Sequence, residues 1–345
     1  ITDPRDMGLR GIFIDHIRIR TAHNRIEDEF SFLDAQGRPI ASALLLDQVR
    51  LSVLLTKQFT YFLGAAPDPY APLCRFEQLV ERALELPEQG RWHELLSDPT
   101  VLRDLARLLG ASDQLWEDFI RLQYESLLPV LEPHVRGRGF AADPERLEQR
   151  LAEALGREGS LPDKRRVLNE FKDREIFLLE LDHIVSKGAG FPAFSRGLTR
   201  LAEAVVVQAV ALAWASLAER FGGPQTVAGL PASLAILGLG KLGGGDLGYA
   251  SDIELLFVYS DTGTTAGRPG GADTISNGEF FGLLVREACG SIRTKREGIF
   301  RIDLRLRPYG ASGPAACSLE SFCRYYGPRG EAHALERLAL ARLRA

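Results

Sequence analysis

Cysteine is scarce in this chain, and no two cysteines form a C-x-x-C pair: Cys74, Cys289, Cys317 and Cys323 stand alone. The six histidines are scattered without ligand-like spacing. These absences weigh against a zinc site and a disulfide framework, and sparse, unpaired thiols suit a reducing cytoplasm. Positive charge is also missing in bulk. A net charge of −4 over 345 residues gives no global field to hold nucleic acid or an anionic membrane. Any anion must be bound locally. No uninterrupted apolar run reaches the roughly 18 residues of a spanning helix, and the N-terminus lacks the charged head, apolar core and cleavage site of a signal peptide. The expectation is a soluble, cytoplasmic protein with neither nucleic acid nor membrane as partner. The chain opens without methionine and stops inside a helical-looking RLALARLRA, as a fragment of a longer chain would.

What is present is ordinary globular material, 45% hydrophobic and 26% charged, enough for two domains with real cores. Residues 1–40 form an unassigned N-terminal segment, in which 11–20 alternate as a half-buried strand would and 34–39 read as a turn. From residue 41 the apolar period becomes three and four. Helices are predicted to about residue 62 and at about 72–86, 100–109, 113–132, 144–156 and 161–186, with a cap at Ser112 or Asp113 and a loop at 133–143. Residues 41–190 thus read as an all-helical bundle. Its charge cluster, Asp163 to Arg166 and Lys172 to Glu175, reads as a solvated helix face. The Gly-Ala-Gly-Phe-Pro run ending at Pro192 marks the domain boundary. After a long helix at about 195–221, strands at 233–238, 252–259 and 299–306 flank a helix at 277–292 whose apolar face is Phe280, Phe281, Leu284 and Ala288. The fold class is therefore α+β, with residues 191–345 as the mixed domain.

The stretch LAILGLGKLGGGDLGYASDIELLFVY, residues 234–259, admits three readings. A dinucleotide fingerprint needs a helix of a dozen residues after its glycines and an acid about 20 residues on. Here the acids Asp252 and Glu254 arrive too early and a strand follows instead. A second reading makes the glycines a plain turn between strands. The third uses every feature: on an extended strand residues two apart share a face, so Asp252 and Glu254 project together while Ile253 and Leu255 pack behind. Two such carboxylates repel unless a cation relieves them, and Mg²⁺ (one or two ions) is the natural partner of carboxylate and phosphate oxygens. Residues 300–308, FRIDLRLRP, alternate strictly, which predicts Arg301, Asp303, Arg305 and Arg307 on one face. An acid among arginines suits a place where metal and phosphate meet. Asp252, Glu254 and Asp303 are thus the predicted catalytic and metal-binding residues, converging beside the glycine bend.

A glycine pair, a short spacer, Asp-x-Asp/Glu entering a strand and a later strand acid together resemble the polymerase-beta-type nucleotidyltransferases. More narrowly, GLGKLGGGDLGYASDIELLFVY, ISNGEFFGLLVREA, GIFRIDLRLRPYGASGPAACSLESFCRYY and ERLALARLR are similar to the glutamine synthetase adenylyltransferase family. Upstream, LNEFKDREIFLLELDHI and LARLLGASDQLWEDFI resemble the helical segments preceding a catalytic domain in that family. Its members carry two nucleotidyltransferase copies, one removing AMP from a tyrosine of glutamine synthetase by phosphorolysis and one adding it from ATP. This chain holds one copy, and its SGPAACS stretch is similar to the deadenylylating one. The resemblance implies ATP, ADP or AMP as substrate or product, glutamine synthetase as protein substrate, and the nitrogen-signalling PII protein as a further partner. It also implies phosphate binding by the backbone of Gly243, Gly244 and Gly245, by Ser251 and Lys241, and by Arg305 and Arg307. Two positions depart from it: Glu254 stands where many relatives carry Asp, and Leu335 where they usually show Trp. Another protein nucleotidyltransferase and a nucleotide-sensing module without turnover remain rival readings.

Overall fold

The computed structural model describes residues 13–22, 25–34, 36–40, 55–65, 69–85, 95–96, 98–111, 116, 146–185, 190–248, 251–267, 274–294 and 300–345. The predicted helix at 113–132 with its cap, the loop at 133–143 and the start of the helix at 41 lie outside these residues, Trp116 apart. Two compact units make up the chain, Ile1–Phe140 and Ala141–Ala345.

In the first unit, β1 (Phe13–Ala22) and β2 (Arg25–Leu33) form an antiparallel hairpin. The strand expected at 11–20 is present. Its partner was illegible because Glu27, Asp28 and Glu29 break the apolar alternation. The turn at 34–39 closes on Asp34, whose Oδ1 accepts from the N–H groups of Gln36 and Arg38, both at 2.9 Å. Helix α1 (Tyr70–Glu85) packs against α2 (Pro99–Ala111). Their facing stripes, Phe76, Leu79 and Val80 against Val101, Leu102, Leu105 and Leu109, are fully buried. Asp98 starts α2 by accepting from Thr100 N–H at 2.7 Å, and Pro99 follows where a helix needs no N–H.

In the second unit, α3 (Leu147–Gly156) and α4 (Leu161–Val185) pack on α5 (Gly190–Phe221). The helical segment expected over 41–190 is therefore divided between the units at residue 140, because α3 and α4 find their apolar partners on α5. Pro192 does not interrupt the chain but lies in the first turn of α5, where a missing N–H costs nothing. Helix α5 is 32 residues long, with a stretch of mean hydropathy 1.8, so by length and composition it could span a membrane. Half of that stretch is buried inside the protein, as in a core helix. The charge cluster of α4 is only partly a solvated face. Arg166 pairs with Glu170 at 2.9 Å in the open, but Lys172 and Glu175 are buried. Lys172 Nζ contacts Asp173 at 2.7 Å and lies 5.4 Å from the Phe300 ring centre. Burial pushes the Glu175 carboxyl up, although Arg150 pairs with it.

Strand β3 (Leu234–Gly238) runs antiparallel to β4 (Ile253–Tyr259), the central and largely buried strand. Two short segments, β5 (Ile302–Asp303) and β6 (Ala316–Ser318), pair parallel with the beginning and the end of β4. Helix α6 (Gly240–Gly244) fills the turn after β3. Helix α7 (Asn277–Ser291) is capped by Ser276, whose Oγ accepts from Glu279 N–H at 3.2 Å. Its stripe of Phe280, Phe281, Leu284 and Ala288 is buried, with both phenylalanine rings against Trp214 of α5. Each ring contributes about 1.5–3 kcal/mol by leaving water. Helices α8 (Leu319–Tyr326) and α9 (Ala334–Ala339) complete the unit, an α+β arrangement with a small mixed sheet.

The third predicted strand, 299–306, shrinks to two residues. After Asp303 the chain turns, with Arg305 N–H donating to Asp303 Oδ1 at 2.8 Å and Arg307 N–H to Leu304 O at 3.2 Å. A carboxylate able to bind the backbone two residues on competes with the sheet ladder, and here it wins.

Candidate functional site

The first residues of β4 supply one side of the site. Ile253 and Leu255 are buried, while Asp252 and Glu254 are half-buried on the opposite face, as strand alternation requires. The parallel register then sets Glu254 directly beside Asp303, and Ile253 N–H donates to Arg301 O at 2.8 Å. Arg301 grips Asp252 with both arms of its guanidinium, Nε to Oδ1 at 3.2 Å and Nη2 to Oδ2 at 2.8 Å. Arg305 Nη2 touches two acids at once, Asp303 Oδ2 at 2.6 Å and Asp252 Oδ2 at 4.0 Å.

Glu254 feels the other two carboxylates. Desolvation, then the charges of Asp303 and Asp252, raise the Glu254 carboxyl above its ordinary range against the pull of Arg305 and Lys241. Desolvation also pushes Asp303 up, but hydrogen bonds and charge from Arg305 outweigh it and hold that carboxyl low. Hard oxygen donors in this number, one of them resisting ionisation, fit a divalent cation by chemistry. Their arrangement differs from the expected convergence: among the described residues no three acidic, histidine or cysteine side chains close on a common ion. The physical reason is that Arg301 and Arg305 hold Asp252 and Asp303 as counter-ions.

The raised carboxyl gives a pH-dependent expectation. A folded-state value above the unfolded one means that Glu254 opposes folding once pH exceeds the unfolded value, and that the penalty fades as pH falls. In a chelator, Glu254→Gln should therefore raise the thermal midpoint slightly at pH 7, by about 1–2 °C for a half-buried site still screened by water. The gain should close as pH falls towards 4. A difference between variant and parent that stays flat with pH would refute the electrostatic cause.

The glycine turn is built differently from the sequence-based expectation. Gly243 N–H donates to Leu239 O at 2.9 Å and Gly245 N–H to Leu242 O at 3.1 Å, so both donors serve the helix and not an incoming phosphate. Gly245, at φ +74°, is the left-handed residue that ends α6. The glycine that meets the acids is Gly240, at φ +54°: a Cβ there would lie 1.6 Å from Glu254 Oε2. Only a residue without a side chain lets that carboxylate lie over the turn. Lys241 is the cation of this turn and acts on Glu254. Ser251 is buried, its Oγ accepting from Gly248 N–H at 2.9 Å, so it shapes the entry to β4. Arg307 is turned away. Its guanidinium serves the carbonyls of Leu304, Ala311 and Gly313 and stitches the following loop.

The alternation places Arg301 on the face of Asp303 without naming Asp252 as its partner, and it gives no signal for Gly240 or Phe300 as contributors. Phe300 precedes the acid strand at φ +61°, a costly conformation for a residue with a Cβ, and its ring is buried over Lys172. Leu335, where a tryptophan was expected, is 80% exposed on α9.

Comparison with known proteins bears on this geometry. Over 189 residues the chain is 38% identical to the bifunctional glutamine synthetase adenylyltransferase/adenylyl-removing enzyme of Burkholderia pseudomallei, covering 53% of this chain and 20% of that protein. Proteins of the same name from Methylococcus capsulatus and Psychromonas ingrahamii are 33% identical over 225 residues and 31% over 284. Those matches cover 64% and 81% of this chain, and 22% and 29% of the relatives. The chain thus spans less than a third of the length of these relatives. A family model, glutamate-ammonia ligase adenylyltransferase, matches residues 102–345, from the first turn of α2 through the acid strands to the last helix. The chain belongs to the glutamate-ammonia ligase adenylyltransferase family.

Proposed function

We propose that this chain performs nucleotidyl transfer on glutamine synthetase in the removing direction, phosphorolysis of a tyrosine-bound AMP with release of ADP. Residues 191–345 would act as a polymerase-beta-type domain. One observation carries the reading: Glu254 is paired beside Asp303 across β4 and β5, and Arg305 reaches both Asp303 and Asp252. Three acids with interleaved guanidinium groups next to a glycine turn are the parts that phosphoryl transfer needs. The relatives' names support the substrate, and the SGPAACS stretch supports the direction.

In that reaction an oxygen of inorganic phosphate forms a bond to the AMP phosphorus while the bond to the tyrosyl oxygen breaks in line. The proton carried by the phosphate passes to the tyrosine, so adenylyl-tyrosine and phosphate become tyrosine and ADP. Asp252, Glu254 and Asp303 would hold Mg²⁺, which when bound supplies positive charge to the oxygens of the transferring group. The protein's own work is positioning and charge. Arg301 and Arg305 have side chains 53% and 73% exposed, so when a cation takes over Asp252 and Asp303 their guanidinium groups would be released to present a fork of donors to a phosphate dianion. Lys241 adds a point charge beside Glu254. Adenylylated glutamine synthetase, phosphate and Mg²⁺ should yield ADP on incubation with the chain. ATP-dependent labelling of unmodified glutamine synthetase with no ADP from the adenylylated form would reverse the direction, and neither product would sink the reading.

A further inference from the structure

The closing ERLALARLR motif is unused by the chemistry above, yet its last residue is tied to the glycine turn. We propose that Arg344 is a positioning residue that clamps this turn and, through Gly240, the carboxylate of Glu254. The functional half of this inference rests on the nucleotidyl-transfer reading; the clamp itself does not.

Arg344 meets the turn in three ways. Its backbone pairs reciprocally with Gly238, whose N–H donates to Arg344 O at 2.7 Å while Arg344 N–H donates to Gly238 O at 3.0 Å. Its guanidinium donates to Leu242 O at 3.0 Å, which also accepts from Gly245 N–H, and to Gly243 O at 3.1 Å, both carbonyls of the last turn of α6. The same group pairs with Glu203 on α5. One side chain therefore joins the C-terminal strap, the turn and the central helix. Fit is close: a Cβ at Gly243 would lie 1.9 Å from Arg342 O and 2.6 Å from Gly238 O. Arg342 adds a contact to Asp246 at 3.3 Å, just past the turn, and Leu340 and Leu343 pack against the buried cluster of Leu237, Leu256 and Val258. On the other side of α6, Gly240 lies under Glu254, and Leu239 N–H donates to Glu254 O at 3.0 Å. The turn cannot shift without disturbing that acid.

The test is amide hydrogen exchange on the whole chain, with Arg344→Ala and Arg344→Lys compared with the parent. In Arg344→Ala the amides of Gly243, Gly245 and Asp246 should exchange about tenfold faster, while those of α7 stay unchanged. Arg344→Lys should fall between, because an ammonium can keep Glu203 or a carbonyl but cannot fork across the set. In the transfer assay, KM for adenylylated glutamine synthetase should rise about fivefold with kcat within about twofold. Faster exchange spread evenly over the unit, or none at the turn, overturns the clamp; faster exchange at the turn with unmoved kinetics overturns the positioning role. A parent chain without transfer activity would count against the functional reading alone, since the exchange arm still decides the clamp. Should Arg344→Ala fail to fold, Glu203→Gln severs only the ion pair and should raise exchange at the same amides about threefold.

Discussion

Asparagine at position 252 is expected to lower adenylyl transfer by about 10³-fold or more in either direction, while moving the thermal midpoint by about 2 °C or less. The substitution keeps the shape of the side chain and removes one negative charge. What it weakens in the folded chain are the pair with Arg301 and the longer contact with Arg305, whose side chains are half exposed or more, and such pairs contribute little because water competes for both partners. It also removes one of the like charges that raise Glu254. The cost should therefore fall on chemistry and not on folding, and kinetics alongside calorimetry on the same preparation separates them. Turnover at more than a tenth of the parent rate would end the case for Asp252 as a catalytic residue.

The opposite balance is expected at Gly243. Alanine there would set a Cβ 1.9 Å from Arg342 O and 2.6 Å from Gly238 O, and neither backbone atom can rotate away as a side-chain tip could. The strap or the strand must move, which costs about 3 kcal/mol and should lower the midpoint by about 6–12 °C for a unit of this size. Gly245→Ala provides the control. No atom lies within 4 Å of its added Cβ, so only the strain of φ +74° remains, about 1 kcal/mol. Equal losses at the two positions would show that conformational strain, and not the close approach of the strap, explains the triple glycine.

These contrasts mark what was legible in the sequence. The apolar run exposed β4, which is buried on both faces beyond Glu254, and the alternation of its first residues exposed the outward acids, while the helical period exposed α1, α2 and α7 because one face of each is packed. The inward half of α4 escaped because Lys172 and Glu175 are charged. Nothing local announces that one will lie beneath the Phe300 ring and the other against Arg150. Local chemistry misled at Arg305 and Arg307, where flawless alternation gave way to a turn closed by the Asp303 carboxylate. The glycines were recognised as special for the wrong contact. Gly243 answers to a backbone a hundred residues further on, and no spacing rule carries that distance.

The central strand has a further consequence. Because β5 and β6 dock at the two ends of β4, the chain leaves the sheet after Asp303 and returns at Ala316 with both departures pinned in register. A change in the length of that excursion alters loop entropy only weakly and leaves both anchor points in place. The acids and the sheet behind them are thereby insulated from insertion or deletion in the loop, and evolution can remodel that rim of the site without renegotiating the strand that carries Asp252 and Glu254.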